Sequence, residues 1–299
     1  MRPALRLIGE PGAGAPDGLY DSREELRGLL AMARHGLDDN WAAGEAYEPF
    51  VGRWSRFVGN AFVDWLAEPP DLRWLDVGCG TGVLTQVALE HGLAGRVVGI
   101  DSSDALLSYA RDKEPHPFVN FRLGSAESLP FGKSAFDVAI SGLVLNFLED
   151  PARGVAEMRR VVCPGGTVAG YVWDYAGEAQ FLRRFWDAAA ALDPAAVDLH
   201  EGKRFPLAAP GPLVELFEAG GLEEVESHEI EVSTIFEDFE DYWTPFLGAV
   251  GPAPAYCMSL GEEARAALRE RLEATLPAEP DGRIHLIARA FAVRGTVPE

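Results

Sequence analysis

The sequence has 299 residues, of which 47% are hydrophobic and 24% charged, a composition that excludes wholesale disorder, a collagenous repeat and a coiled coil. A chain of this length buries about three quarters of its unfolded surface, so it needs neither disulfides nor metals to stay folded. The net charge of -21 argues against nucleic acid and anionic membranes as partners, and it favours a neutral or cationic small molecule.

The cysteines and the apolar runs bear on the cellular compartment. Cys79, Cys163 and Cys257 lie far apart and form no C-x-x-C pair, which indicates reduced thiols rather than a disulfide framework or a metal site. No run approaches the roughly 18 apolar residues of a membrane span. The segment Met1–Gly18 lacks the apolar core of a signal peptide. We therefore expect a soluble, cytoplasmic protein without a bound metal.

The amino-terminal part is predicted to be helical and loosely organised. Residues 1–40 are expected to form a leader followed by a helix over Asp21–Arg34, and residues 41–299 one domain. That domain begins with an aromatic-rich stretch. Its second half, Trp54–Leu66, has apolar side chains at helical spacing and ends before two consecutive prolines.

After this helix, short apolar runs alternate with helical segments. Strands separated by helices of about ten residues indicate a parallel sheet wound by right-handed crossovers. The nearly unbroken apolar character of these strands is typical of a sheet covered on both faces. The predicted strands are Arg73–Val77, Arg96–Ile100, Phe118–Leu123, Phe136–Ser141 and Thr167–Trp173, with helices over Gly82–His91, Ser103–Arg111 and Ala152–Val161.

The alternation is interrupted after Trp173, where residues 174–210 form an aromatic-rich insertion. The pattern then predicts helices over Pro212–Gly220, Phe239–Leu247 and Gly261–Leu276, and strands over Glu224–Phe236 and Ile284–Val293. The predicted fold class is therefore α/β. It is a Rossmann-like, doubly wound, seven-stranded and mostly parallel sheet whose last strand is antiparallel.

A glycine-rich turn at the end of the first strand is the central feature. The run Leu75-Asp76-Val77-Gly78-Cys79-Gly80-Thr81-Gly82 joins strand to helix, and such a turn lets a ligand approach the backbone closely. A dinucleotide fold requires G-x-G-x-x-G, but this chain has Val83 at the third glycine position. An acidic residue, Asp76, also precedes the glycines and would repel a pyrophosphate.

Both features suit S-adenosylmethionine, which has a cationic ammonium and sulfonium and no phosphate. The second strand ends at Asp101, whose carboxylate can accept hydrogen bonds from both ribose hydroxyls. The third strand ends in Gly124-Ser125-Ala126-Glu127, near the expected place of the adenine, and the fourth strand ends at Ser141.

These motifs resemble those of class I S-adenosylmethionine-dependent methyltransferases, and in particular the small-molecule branch of the ubiquinone/menaquinone-biosynthesis type. The resemblance covers about residues 45–175. It includes the LDVGCGTG run, the GID before Ser102, AESLPF from Ala126, and RVVCPGG from Arg160. It implies that Asp76 lies beneath the methionine end of the cofactor and that Asp101 binds its ribose. By the same resemblance, Gly78, Cys79 and Gly80 lie against the ligand. Ser102 then borders the adenine, and Ala126 and Glu127 flank this base on its other side.

Several departures restrict what the resemblance implies. Many relatives have aspartate where this chain has Ser125, so Ser125 or a backbone group is expected to meet the adenine amino group. Quinone-type relatives have lysine where this chain has Cys163 and an acidic residue where it has Val172. The [DN]-P-P-[YF] motif of enzymes that methylate nucleobase amines or glutamine amides is also absent. A quinone precursor is therefore not the default acceptor.

Candidates for the rest of the site are less specific. Tyr47 and Arg53 either fold over the cofactor, with Arg53 meeting its carboxylate, or belong to a plain helix start. The amino-terminal helices and the 174–210 insertion are expected to form the acceptor pocket. Its candidate residues are Trp173, Asp174, Tyr175, Tyr242 and Trp243, although aromatic residues at helical spacing also form ordinary core.

The sequence therefore predicts transfer of a methyl group from S-adenosylmethionine to an O, N or C atom of a small molecule, with S-adenosylhomocysteine as product. No catalytic residue stands out, because much of the catalysis of methyl transfer comes from approximation, and a base is needed only when the nucleophile must lose a proton. A protein of the same fold that binds S-adenosylmethionine without moving the methyl remains an alternative, and so does a nicotinamide-dependent oxidoreductase. The acceptor and the oligomeric state are not predicted.

Overall fold

The computed structural model describes residues 51–113, 116–248 and 251–299. The predictions for residues 1–40 and for Tyr47 lie outside these ranges. Within them, seven strands form one sheet: β1 (Leu72–Val77), β2 (Ala94–Asp101), β3 (Val119–Leu123), β4 (Phe136–Gly142), β5 (Val162–Trp173), β6 (Glu223–Phe236) and β7 (Ile284–Thr296).

The α-helices of the described residues lie before and between these strands. They are α1 (Arg53–Leu66), α2 (Val83–Glu90), α3 (Asp104–Lys113), α4 (Pro151–Val161), α5 (Gln180–Leu192), α6 (Glu201–Arg204), α7 (Pro210–Ala219), α8 (Phe239–Trp243), α9 (Pro252–Ser259) and α10 (Glu262–Thr275).

The strand order is β3-β2-β1-β4-β5-β7-β6. Strands β1 to β5 pair in parallel, and β7 is antiparallel to both of its neighbours, β5 and β6. The predicted seven-stranded, mostly parallel sheet with an antiparallel last strand is thus confirmed. The chain reverses its direction of winding between β1 and β4, which leaves a crevice at the carboxyl ends of these strands.

The core lies on both faces of the sheet. The last six residues of β5, 168–173, are all buried, which shows that both of its faces are covered. On α1, the buried residues Trp54, Val58 and Phe62 recur every fourth position and form one apolar stripe. The ring of Phe62 lies 4.8 Å from that of Tyr171 on β5, so α1 is held against the sheet next to the crevice.

One prediction about the carboxyl-terminal half needs correction, and one helix lies where no element is predicted. The expected single helix over Phe239–Leu247 ends at Trp243 and continues as a 3-10 turn, because Pro245 has no N–H for the α-helical ladder. The helix without a predicted counterpart is α9, which has Pro252 and Pro254 in its first turn. Proline is nevertheless well tolerated in the first turn of a helix, where no intrahelical N–H bond is formed.

No helix among the described residues is long and apolar enough to cross a lipid bilayer. In an open sheet of this topology, the crevice at the carboxyl ends of β1 and β4 is the place to seek a site.

Candidate functional site

A cavity of about 700 Å³ lies at the carboxyl ends of strands β1 to β5. Neighbouring strands are about 4.8 Å apart, so the ends of β3 and β5, four strand spacings away from each other, are about 19 Å apart. The cavity can therefore hold one elongated ligand, or two ligands end to end. The predicted residues that line it are Asp76, Gly78, Cys79, Gly80, Asp101, Ser102, Ser125, Ala126, Glu127, Trp173 and Tyr175.

The glycine turn between β1 and α2 forms the middle of the cavity floor. Gly78, Gly80 and Gly82 have φ angles of 75°, 52° and 83°, a conformation that residues with a side chain rarely adopt. A side chain at Gly78 would collide with Val144, whose Cγ2 lies 2.4 Å from the added Cβ. A side chain at Gly80 would meet no protein atom within 4 Å. Gly80 therefore leaves open space that a ligand can occupy.

Asp76 lies at the inner end of β1 and is almost fully buried. Its Oδ2 accepts a hydrogen bond of 2.6 Å from the Thr85 hydroxyl, and its Oδ1 has no partner among the described residues. Burial raises the pKa of Asp76 to about 7, and the nearby charge of Asp101 adds to this rise while the bond from Thr85 opposes it. Such a group is stabilised by a cation or a hydrogen-bond donor brought into the cavity.

Asp101 ends β2, and the backbone around it fixes its carboxylate. One oxygen accepts a hydrogen bond from the Gly80 N–H at 2.9 Å, and the other accepts one from the Ser103 N–H at 2.8 Å. Each carboxylate oxygen still has a second lone pair. Asp101 therefore links the glycine turn to the start of α3 and can accept two further hydrogen bonds from a ligand.

The loop after β3 forms the end of the cavity beyond β2. Ser125 Oγ accepts a hydrogen bond from the Glu127 N–H at 3.1 Å, which shapes a tight turn. The Glu127 carboxylate accepts one from the Asp150 N–H at 2.8 Å and so ties this loop to the start of α4. Ala126 lies between them with no polar side chain. This end therefore offers a small, partly apolar slot.

Ser102 and Cys79 contribute to the walls near Asp101. Ser102 is exposed, whereas Cys79 is buried. Burial raises the pKa of the Cys79 thiol, so this thiol stays neutral at ordinary pH and acts as an apolar part of the wall. Among the described residues, no group of His, Cys, Asp and Glu has the arrangement of a metal site.

The opposite end of the cavity, beside β4 and β5, is aromatic. Phe147, Tyr171, Trp173 and Tyr175 line it, together with the buried carboxylate of Glu201 on α6. Glu201 is not among the residues predicted from the sequence. It belongs to no periodic pattern or motif of the insertion, so no sequence signal distinguishes it from the other acidic residues of the chain.

Five other predicted residues do not line the cavity. The Arg53 guanidinium donates to Asp241 at 2.8 Å and stacks on Trp54 and Phe236. The Ser141 hydroxyl donates to the carbonyl oxygen of Val77, inside the sheet. Tyr242 and Trp243 are both buried, and the Tyr242 hydroxyl donates to the carbonyl oxygen of Phe181, in α5. The ring of Trp243 packs against that of Phe246, with their centroids 6.3 Å apart. The structure thus gives these four side chains a partner in the fold, and the fifth residue is Asp174.

Asp174 holds the turn that follows β5. Its carboxylate accepts hydrogen bonds from the N–H groups of Gly177 and Glu178 and from the Arg289 guanidinium, which comes from β7. This turn positions the neighbouring Tyr175 at the cavity. Asp174 therefore acts on the cavity wall through the backbone.

We expect Asp174→Ala to lower the free energy of unfolding by about 3 kcal/mol, because it leaves a part-buried guanidinium and two N–H groups without their acceptor. Urea denaturation measures the loss. Glu229→Ala is the matched control, since Glu229 is an exposed partner of the same Arg289 at 3.2 Å and its removal is expected to cost less than about 1 kcal/mol. Equal losses in the two variants would contradict the structural role of Asp174.

Comparison with known proteins identifies the central part of the chain. A family model described as a methyltransferase domain matches residues 75–170. The 2-phytyl-1,4-naphtoquinone methyltransferase of Thermosynechococcus vestitus is 38% identical over 109 residues, which are 36% of this chain and 48% of that protein. The demethylmenaquinone methyltransferase of Desulfitobacterium hafniense is 38% identical over 104 residues, 33% of this chain and 41% of that protein.

The similarity to curated relatives is partial, whereas the similarity of fold is broader. The chain spans between about a quarter and a half of the length of the curated relatives it matches. Phosphoethanolamine N-methyltransferase 2 of Haemonchus contortus, solved in complex with S-adenosyl-L-methionine, superposes with a TM-score of 0.54 at 16% identity. That superposition covers 91% of this chain and 60% of the other. At this identity the match shows the fold alone.

Proposed function

We propose that the chain transfers a methyl group from S-adenosylmethionine to an O, N or C atom of a small-molecule acceptor, because a family model described as a methyltransferase domain matches residues 75–170 and two quinone methyltransferases are 38% identical to parts of the chain. The main observation behind this proposal is that Asp76, Gly80 and Asp101 line one and the same cavity.

The residues of the cavity fit the cofactor. The buried Asp76 Oδ1 lacks a partner among the described residues, and a cationic ammonium group is a suitable one. The open space over Gly80 accepts a ligand that a side chain would exclude. Asp101 would bind the ribose hydroxyls, and residues 125–127 would lie around the base. Ser102 would border the base near Asp101.

The charge of the cavity supports this ligand over a nicotinamide dinucleotide. Five carboxylates line the cavity, those of Asp76, Asp101, Glu127, Glu149 and Glu201, and no basic side chain of the described residues does so. A pyrophosphate in this place would meet repulsion without a compensating cation. Val83 at the third glycine position of the dinucleotide motif points in the same direction.

When bound, S-adenosylmethionine supplies an electrophilic methyl group on a positively charged sulfur. The chain's own contribution is to bind, orient and exclude water. The glycine turn and Asp101 fix the nucleoside end, and the aromatic side chains beside β4 and β5 form a dry surface for an acceptor. The predicted insertion, residues 174–210, supplies Tyr175, Leu182 and Glu201 to this surface, which supports its assignment to the acceptor pocket.

The proposal is tested by titrating the protein with S-adenosylmethionine, S-adenosylhomocysteine and, separately, NADH. A ligand at about 100 times its Kd adds about 2.7 kcal/mol of stability and raises the melting temperature visibly. We expect a shift with the first two ligands and none with NADH. Formation of S-adenosylhomocysteine in the presence of a library of small acceptors then separates methyl transfer from binding alone. The absence of any shift would overturn the proposal.

We also expect the affinity for S-adenosylhomocysteine to rise with pH. Asp76 has a pKa of about 7 in the free protein, and the ammonium group of the ligand favours its ionised form. The affinity should therefore increase several-fold between about pH 6 and about pH 7.5, below the range in which an α-amino group itself loses its proton. Isothermal calorimetry at these pH values measures the change.

Asp76→Asn provides the control for this pH dependence. The variant cannot ionise at this position, so its affinity should be lower at the higher pH and nearly constant between the two values. No histidine of the described residues lines the cavity, and the neighbouring Cys79 titrates well above this range. An equally steep pH dependence in the variant would assign the effect to another group.

A further inference from the structure

One side chain at the aromatic end of the cavity has a buried hydrogen-bond donor without a partner. Trp173 lines the cavity, and its indole Nε1 is buried with no hydrogen-bond partner among the described residues. Resting on the methyltransferase function proposed above, we infer that the Trp173 indole N–H donates a hydrogen bond to an oxygen atom of the methyl acceptor. Trp173 is then a specificity-determining residue, and the group that it recognises is an oxygen on an otherwise apolar molecule.

The unpartnered N–H calls for a ligand because the indole nitrogen can only donate. Trp173 is 1% exposed, and burying a donor without a partner is unfavourable, so most buried polar side-chain atoms in native proteins have one. The indole nitrogens of Trp54, Trp74 and Trp186 are also buried without a partner, but none of these three residues lines the cavity. Of these four described tryptophans, Trp173 alone can therefore gain its partner from a molecule bound in the cavity.

Trp173 lies away from the part of the cavity that is assigned to the nucleoside of the cofactor. It ends β5, and β4 separates this strand from β1, which leads into the glycine turn. Two strand spacings correspond to about 10 Å. Asp101 and residues 125–127, which would hold the ribose and the base, follow β2 and β3 on the other side of β1. The Trp173 end is therefore left for a second molecule.

The fold holds the indole ring in place. Side chains alternate between the two faces of a strand, so Trp173 lies on the same face of β5 as Tyr171, which also lines the cavity. The ring of Phe181, on α5, packs nearly perpendicular to the indole, with the centroids 5.7 Å apart. An aromatic ring is only a weak hydrogen-bond acceptor, so this contact fixes the indole without replacing an oxygen partner. A donor held in this way is preorganised for a ligand.

The lining around Trp173 offers an apolar surface for the rest of the methyl acceptor. Its members come from the segment after β4 and from the turn and helix after β5, and they are Leu143, Val144, Phe147, Tyr175 and Leu182. Glu201 also lines this cavity, but it already interacts with another residue of the chain. Sites for small molecules commonly combine an apolar wall with a few polar groups that fix the orientation of the ligand. The Trp173 N–H is suited to that role.

The experiment compares ligands of equal shape with and without an oxygen, in the presence of saturating S-adenosylhomocysteine. The probes are acetophenone with α-methylstyrene and 2-acetylnaphthalene with 2-isopropenylnaphthalene, and in each pair a methylene group replaces the carbonyl oxygen. We expect at least one ketone to bind with a Kd below about 1 mM and about fivefold more tightly than its hydrocarbon, since the pair differs by one hydrogen bond. Binding of both hydrocarbons as tightly as their ketones, or no binding of either ketone, would overturn the inference.

Trp173→Phe identifies the residue responsible. The variant keeps an aromatic ring and loses the N–H, so the preference for the ketone should disappear while the affinity for S-adenosylhomocysteine stays within about twofold. Trp54→Phe is the matched control, because it removes a buried, unpartnered N–H outside the cavity lining and should leave the preference unchanged. A ketone preference that persists in Trp173→Phe would contradict the assignment. A folded Trp173→Phe with weakened S-adenosylhomocysteine binding would instead assign the N–H to the cofactor's own carboxylate.

A second measurement keeps the test decisive if Trp173→Phe does not fold. Nuclear magnetic resonance of the unaltered protein, labelled with 15N, resolves the indole N–H groups of its seven tryptophans, and that of Trp173 is assigned through its neighbour Phe181. This proton resonance should move downfield with the ketone and not with its hydrocarbon, and an unmoved resonance would overturn the inference. The two proposals fail separately: no binding of S-adenosylhomocysteine by the unaltered protein removes the methyltransferase function, whereas intact binding without a ketone preference removes only the role of Trp173.

Discussion

Replacing Gly80 with valine is expected to abolish measurable binding of S-adenosylhomocysteine while the protein remains folded. A Cβ added at Gly80 meets no protein atom within 4 Å, so the side chain occupies space that the ligand is proposed to fill. A steric block in the middle of the cavity removes contacts at both ends, so we expect a loss of more than about 100-fold in affinity, or about 2.8 kcal/mol. Calorimetric titration measures the affinity.

The chain offers two matched controls for this substitution. Gly92→Val introduces the same side chain at φ 68°, in an exposed position with open space around it and away from the cavity, so it measures the backbone cost alone. That cost is about 1–2 kcal/mol of stability. Gly78→Ala should instead destabilise the ligand-free protein, because the added Cβ would collide with Val144. Normal binding by Gly80→Val would show that the ligand lies elsewhere.

Asp101→Ala is expected to lower the affinity for S-adenosylhomocysteine by about 100-fold or more. The variant loses two charge-assisted hydrogen bonds to the ribose, each worth about 1.5–3 kcal/mol. It also releases the N–H groups of Gly80 and Ser103, which the carboxylate now holds, so the melting temperature should fall as well. Binding must therefore be measured by calorimetry at a temperature where the variant is folded.

Asp104→Ala serves as the control for Asp101→Ala. Asp104 lies three residues further along the chain, is exposed and is paired with Arg111 at 3.7 Å. Its removal changes the net charge equally, and Asp104 is not itself part of the cavity lining, so the affinity should stay within about twofold. Normal affinity in Asp101→Ala would disprove the ribose assignment, and an equal loss in both variants would point to a general effect of charge.

The strand ends are the part of the site that the sequence predicts well. Asp76 and Asp101 each end an apolar run, and parallel strands bring their carboxyl ends to one edge of the sheet. The glycines of the turn can also be predicted from the sequence, because the positive φ angles of such a turn favour glycine. These local signals place the middle of the cavity and the end beside β2 and β3 without knowledge of the remaining fold.

The acceptor end is less predictable, because it depends on pairs of residues far apart in the chain. Arg53 pairs with Asp241, 188 residues away, and Asp174 pairs with Arg289, 115 residues away. Neither partner is visible from local pattern, so the sequence alone does not distinguish polar side chains that stabilise the fold from candidates for ligand binding. The burial of Glu201 is equally invisible in the sequence, since it depends on how α6 rests on the turn after β5.

The place of β7 in the sheet also determines the order in which the protein can be completed as it is synthesised. Strand β6 precedes β7 in the chain, yet β7 is its only neighbour among the described strands. While β7 is still inside the ribosome, β6 has no strand to pair with, and the edge of β5 stays open to association with other nascent chains. The turn that bears Tyr175 likewise reaches its final conformation only when Arg289, on β7, pairs with Asp174. The part of the cavity wall that bears Tyr175 thus reaches its final form only after β7 has left the ribosome, and we expect ribosome-bound chains that lack β7 to depend most on chaperones.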